Sequence, residues 1–321
     1  MLIPEHLRRK RPKERRSRPL RRHVPHTLRK GLPATGHCGR FLLQNLLGAG
    51  GVCEVHAALD LRRVEWSDAA PQVAVKRLLP ELADNYQAQL ALAQEFCILR
   101  HLAHPGVVRV FDLHREPFGL CYSMELLRGR HMGENTAEAV PDARAAATAT
   151  LFFGTLAFLH AKGIAHGDIK PSNLFLEPGG RPVLIDFNVA AAILNQDCAV
   201  PVQGLRHSLR IPAHNILYSS PERLEGGPPS PEDDVFAACC TVYEMFSGEH
   251  PFKRRSSEEA RREGLIPDRP PGLPALLWPP LRKGLAFQPR VRPAAARLHR
   301  IFAAWEALVR CTGYTRNLFI H

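Results

Sequence analysis

No stretch of this 321-residue chain reaches the roughly 18 uncharged apolar residues that a membrane span needs. No short apolar segment follows the basic N-terminus in the manner of a secretory signal. A cytoplasmic setting is the expectation. The eight cysteines (38, 53, 97, 121, 198, 239, 240 and 311) contain no CxxC pair and no zinc-ligand spacing. Several stand in apolar runs, where free thiols pack as small hydrophobes, so a disulfide framework is set aside. The 16 histidines show no HExxH and no paired-ligand spacing, which leaves no histidine metal centre to build. No repeat of about 20–50 residues recurs. The 28 prolines and 23 glycines follow no period, and solenoids and fibres are excluded.

What the chain does have is charge of one sign, unevenly placed. The formal net charge is +12, and residues 1–30 carry 12 Lys/Arg against Glu5 and Glu14, a difference of +10. The remainder is nearly neutral. Residues 1–37 combine this charge with four prolines by position 25 and little apolar periodicity, and they read as a disordered arm. Such an arm suits nonspecific contact with nucleic acid, anionic lipid or an acidic protein, although it has no aromatic residue for base stacking. A solvated tail, or upstream sequence translated from a misassigned start codon, fits the same composition.

From Arg40 onward, FLLQNLLGAGGVCEVHAALD reads as strand, glycine turn and strand, and QVAVKRLL as a third strand. The segment YQAQLALAQEFCILRHL places Leu92, Leu99 and Leu102 on one helical stripe and puts Glu95 on the same stripe. A carboxylate facing inward needs a cationic partner. After the short segments VVRVFDL and LCYSMELL come three helical stretches: PDARAAATATLFFGTLAFLHAKG, EDDVFAACCTVYEMFSG and PAAARLHRIFAAWEALVR. The expected class is α+β and bilobal. A small antiparallel-sheet lobe (about 38–125) precedes a larger, mainly helical lobe (about 128–310), and a short tail (311–321) follows.

Two stretches carry chemistry. GAGGVCEV supplies Gly48, Gly50 and Val55, and glycines there let backbone N–H groups approach phosphate oxygens closely. HGDIKPSNLFLEPGGRPVLIDFN, residues 166–188, holds a D-x-K-P-x-N run followed thirteen residues later by a D-F pair at the end of an apolar strand. With VAVK between them, these ordered motifs resemble a eukaryotic-type (Hanks-type) Ser/Thr protein kinase, in a soluble bacterial form, over about residues 40–310.

The resemblance implies ATP and magnesium as cofactors and a protein as substrate. Lys76 would meet the α/β-phosphates and Glu95, Asp168 would be the catalytic base, and Lys170 would steady the transferred phosphoryl group. Asn173 and Asp186 would hold the metal. Gly48, Gly50, Val55, Ala74, Lys76, Glu95, Met124, Glu125, Leu127 and Phe175 would form the nucleotide site. Ser220, Pro221 and Glu222 take the place of the family's APE, Asp234 would brace the catalytic loop, and Arg292 would pair with Glu222. His166 would pack as the structural histidine of that loop.

Four departures qualify the resemblance. Gly167 replaces the arginine that, in relatives keeping it, receives an activation-loop phosphate, and the segment from Asp186 to Glu222 has no threonine and only Ser208, Ser219 and Ser220. Activity independent of loop phosphorylation is therefore expected. Asn188 replaces the glycine of DFG and, as the non-glycine residue most tolerant of positive φ, is expected to take that turn. Asn215 stands where Ser/Thr kinases carry a threonine, which leaves the acceptor preference open. Cys53 stands for the third loop glycine, either as a redox handle or as a small substitute. Three readings remain: an active protein kinase, a weak or inactive pseudokinase acting as an ATP-binding scaffold or interaction module, and a non-protein phosphotransferase.

Overall fold

The computed structural model describes residues 39–135, 142–192 and 216–312. The basic arm, Cys38, Cys198, Ser208, Asn215 and residues 313–321 lie outside them.

Strand periodicity builds the first lobe. Strands β1 (Phe41–Ala49) and β2 (Cys53–Asp60) form a hairpin. The short helix α1 (Leu61–Glu65) leads to β3 (Gln72–Leu78), and helix α2 (Tyr86–Leu99) leads to β4 (Val110–Glu116) and β5 (Gly119–Met124). They make one antiparallel sheet in the order β1-β2-β3-β5-β4. Successive strand residues face opposite ways. On β3, Val73 and Val75 join Phe41, Ala58 and Cys121 in a small cluster on one face. Leu78 joins Leu92 and Phe96 of α2 on the other. Lys76 shares the parity of Leu78, which aims its side chain toward α2.

Helix α2 starts where the Asn85 side chain accepts the Ala88 N–H at 3.0 Å. Its buried residues are Ala88, Leu92, Glu95, Phe96 and Leu99, an i, i+4, i+7, i+8, i+11 stripe. Leu102, expected on this helix, is buried but follows the helix end, in the turn after Leu99.

The second lobe is helical around a few short strands. Strand β6 (Arg130–His131) is followed by helix α3 (Asp142–Ala161), then β7 (Ile164–Ala165), β8 (Leu174–Leu176), β9 (Pro182–Leu184) and β10 (Ala191–Ala192). β8 pairs with β6 and β9, and β10 pairs with β7. Helices α4 (Pro221–Leu224), α5 (Pro231–Ser247), α6 (Ser257–Arg262), α7 (Trp278–Gly284) and α8 (Ala295–Thr312) complete the lobe. Ser230 caps α5, Pro231 opens it, and Gly248 ends it at φ 73°. Most of α5 is buried, so it forms the pillar of the lobe. Helix α8 lies on α3, with the Phe302 ring edge-on to Phe153 at 5.1 Å. Among the described residues no helix is long and apolar enough to cross a membrane, and the six described cysteines are free thiols.

Candidate active site

The parity of β3 and the stripe of α2 meet at Lys76. Its Nζ donates to Glu95 Oε1 at 2.7 Å, to Asp186 Oδ1 at 2.8 Å and to Asn188 Oδ1 at 2.9 Å. Glu95 Oε1 also accepts the Phe187 N–H at 3.0 Å. Burial works to lower the Lys76 pKa, but Asp186 and Glu95 outweigh it and hold the ammonium well above its ordinary value. Burial raises Glu95 against the pull of Lys76. Burial would also raise Asp186, yet Lys76 leaves it below the usual carboxylate range.

Asp186 has φ +63°, a left-handed conformation that non-glycine residues rarely take and that clusters at functional sites. Asn188 is not among the left-handed residues. The expectation that Asn188 carries the turn is thus corrected. Asp186 carries it, and the Asn188 side chain is committed to Lys76.

The stretch 166–173 is held from below by α5. Asp234, 1% exposed, accepts the backbone N–H groups of His166 and Gly167, each at 2.8 Å, and meets His160 Nε2 at 3.0 Å. His166 is fully buried with its ring against Phe187, centroids 4.5 Å apart. Gly167 has φ +78°, and a Cβ there would come within 3.0 Å of Pro229 Cβ and 3.2 Å of the Val189 carbonyl oxygen. Asp168 Oδ2 accepts from Lys170 Nζ at 2.6 Å and from Asn173 Nδ2 at 2.9 Å. Burial raises the Asp168 pKa and Lys170 draws it back. Asn173 gives its N–H groups to Asp168, which leaves its amide oxygen as the atom for a cation. The Ile185 N–H donates to the Asn173 carbonyl at 3.1 Å and ties the two halves of the site together.

At the β1–β2 turn, Gly48 pairs with Val55 in the strand register, and the Gly50 N–H donates to the Cys53 carbonyl at 2.8 Å. A Cβ at Gly48 or Gly51 would meet no protein atom within 4 Å, and neither residue has a positive φ. Protein packing therefore does not require glycine there, while the missing side chains leave the backbone open to a close approach. Cys53 is buried, and burial pushes its thiol up to about 12, which fits the small-substitute reading and not a redox handle. Ala74 sits opposite Met124 in the β3–β5 register. Met124, Leu127 and Phe175 are partly buried against the main core. Glu125 is turned to a different task, its Oε1 accepting the Arg109 N–H at 2.8 Å.

Arg292 and Glu222 form a bidentate pair, and the Arg292 side chain is fully buried. Its guanidinium also donates to the carbonyls of Ala286, Phe287 and Glu232 and lies over the Phe236 ring at 4.9 Å. Beside it stands Asp233, which the sequence reading missed. Ser220 Oγ donates to its Oδ1 at 2.6 Å, and the Glu222 carboxyl lies against it. Burial, with the Glu222 carboxylate adjacent, pushes Asp233 up to about 6.

A carboxyl raised in the folded state binds its proton more tightly there than in the unfolded chain. Its contribution to stability therefore falls as pH rises from the ordinary aspartate value of 3.8 through about 6. Asp233→Asn removes this titration and keeps an acceptor for Ser220. The variant should melt about 2–6 °C above wild type at pH 8, with the gap narrowing toward pH 5. A gap that widened on acidification would contradict the assignment.

Comparison with known proteins fits this geometry. Residues 41–268 match the family described as protein kinase domain. The serine/threonine-protein kinase PkaA of Streptomyces coelicolor is 33% identical over 276 residues, 81% of this chain and 49% of that protein. The serine/threonine-protein kinase PknB of Mycobacterium tuberculosis is 31% identical over 265 residues, 79% of this chain and 40% of that protein. PknD of Chlamydia felis, also a serine/threonine-protein kinase, is 27% identical over 80% of this chain and 30% of its own length. The chain spans less than half the length of these three relatives. With the family match over residues 41–268 and these relatives beside it, the chain belongs to the protein kinase family, in its eukaryotic-type serine/threonine group.

Proposed function

We propose that the chain transfers the γ-phosphoryl group of ATP to serine or threonine hydroxyls of protein substrates. The observation that carries this reading is the convergence of Lys76, Glu95 and Asp186 on one side with Asp168, Lys170 and Asn173 on the other, joined through Ile185. Lys76 and the open backbone of Gly48–Gly51 hold the phosphates. Asp168 orients the acceptor hydroxyl and takes its proton, and Lys170 offers a positive charge to the group in transfer. The Asn173 amide oxygen and the Asp186 carboxylate are hard donors that fit magnesium, which when bound would neutralise charge on the phosphate oxygens. The test is incubation of the purified full chain with labelled ATP, magnesium and a generic basic protein.

A scaffold that binds ATP without transferring it is the second reading. The Asn188 bond to Lys76 favours a weakened site, since it occupies the residue that should engage phosphate during transfer. Wild-type transfer no faster than that of Asp168→Asn would establish the scaffold.

Activation-loop phosphorylation is not needed for this activity. Position 167 supplies no cation, and Pro229 crowds the space where a side chain would begin. Ser220, one of three serines in the segment, is 1% exposed and caps α4. Phosphatase-treated protein should keep its initial rate, and Ser208→Ala should change it less than about threefold, roughly 0.6 kcal/mol. A hundredfold loss with the fold intact would mean the loop is ordered by phosphate. The kinase domain extends over residues 38–310, because α8 packs onto α3 beyond the matched segment. The free thiols suit a reducing, cytoplasmic setting.

A further inference from the structure

We propose that Asn188 competes with nucleotide phosphate for the third proton of Lys76, and so sets the affinity of the site. This rests on the reading of the site as an ATP site. An ammonium has three protons and no acceptor. All three have partners here: Glu95 at 2.7 Å, Asp186 at 2.8 Å and Asn188 at 2.9 Å. A phosphate oxygen that engages Lys76 must therefore displace one of them.

The three are not equal. Glu95 is buried, so releasing it would strand a carboxylate away from water. Asp186 is fixed by its left-handed backbone and carries a charge that Lys76 stabilises. Asn188 offers only a neutral amide oxygen, a weaker acceptor for a cation than a carboxylate. Its residue is exposed, so the displaced amide regains water at once. Binding thus exchanges one hydrogen bond of Lys76 for another, and the affinity is lowered by the worth of the bond given up. A glycine at this position, as the family motif has it, would offer no such competitor. Asn188 is a positioning residue and not a catalytic one.

The experiment uses the full chain with Asn188→Ala and Asn188→Asp, each checked by circular dichroism for a wild-type fold. A fluorescent ATP analogue is titrated without divalent cation. Asn188→Ala should bind about tenfold more tightly than wild type, the effect of freeing one hydrogen bond to a charged group. Asn188→Asp, which sets a third carboxylate on the ammonium, should bind more weakly than wild type. Acylation of Lys76 by an amine-reactive ester, followed by mass spectrometry, gives a second readout. It should proceed faster in Asn188→Ala. Binding by both proteins with no tightening in Asn188→Ala overturns the competition and leaves the ATP reading intact. An unchanged acylation rate also overturns it. Failure of every protein to bind nucleotide would instead remove the ATP reading, and this inference with it.

Discussion

Asp168→Asn should slow phosphoryl transfer about a hundred- to ten-thousandfold, the usual worth of a positioned general base, and leave nucleotide affinity within about threefold of wild type. The asymmetry follows from the contacts of Asp168. Its side chain is held by Lys170 and Asn173 and makes no hydrogen bond to Lys76, Glu95 or Asp186. An asparagine amide oxygen can still accept from Lys170, so the loop keeps its shape. It cannot take up a proton near neutral pH, so the acceptor hydroxyl must react without a base. Initial rates at saturating ATP, with affinity measured separately by titration, would check both halves. A variant that kept more than a tenth of the wild-type rate would show that Asp168 is not the base.

Arg292→Ala should destabilise the fold by about 3 kcal/mol, as expected when a buried guanidinium that holds a partly exposed carboxylate and three backbone carbonyls is removed. The loss has several parts. Truncation strands Glu222, leaves the carbonyls of Ala286, Phe287 and Glu232 without their guanidinium donor, and uncovers the Phe236 ring. For a domain of this size the melting temperature should fall by about 10 °C. Arg292→Lys should fall between the two proteins, because it keeps the charge but not the planar fork. Thermal melts of the full chain would decide it, and an Arg292→Ala variant within about 2 °C of wild type would show that the pair is dispensable.

Parts of this site were legible in the sequence because they depend on short-range geometry. Alternation along QVAVKRLL and the stripe through Leu92 and Leu99 aim Lys76 and Glu95 at each other, whatever the loops do. Asp168, Lys170 and Asn173 lie within six residues, and their mutual bonds need only a local turn. The sheet and the three long helices were readable for the same reason, being strong periodic segments.

What was not legible depends on residues far apart in the chain. The role of Asn188 was assigned to its backbone, whereas Asp186 takes the left-handed turn and frees the asparagine side chain to reach across 112 positions to Lys76. Asp233 looks like an ordinary first-turn acid of α5, and only the fold sets it against Ser220 and Glu222. Helices α1, α4, α6 and α7 are too short to show a period; the first three start on side-chain caps such as the reciprocal Ser256–Glu259 pair, and α7 starts without one and rests on packing. Arg292 carried a signal only through the resemblance, since nothing near it in sequence asks for a buried cation.

The close fit between Gly167 and Pro229 bears on which substitutions position 167 accepts. An arginine substituted at position 167 would meet a left-handed backbone, and its first side-chain carbon would lie 3.0 Å from a proline ring. Pro229 would have to shift or be replaced first. Positions 167 and 229 should therefore be coupled, so that Gly167→Arg costs less stability when combined with Pro229→Gly than it does alone.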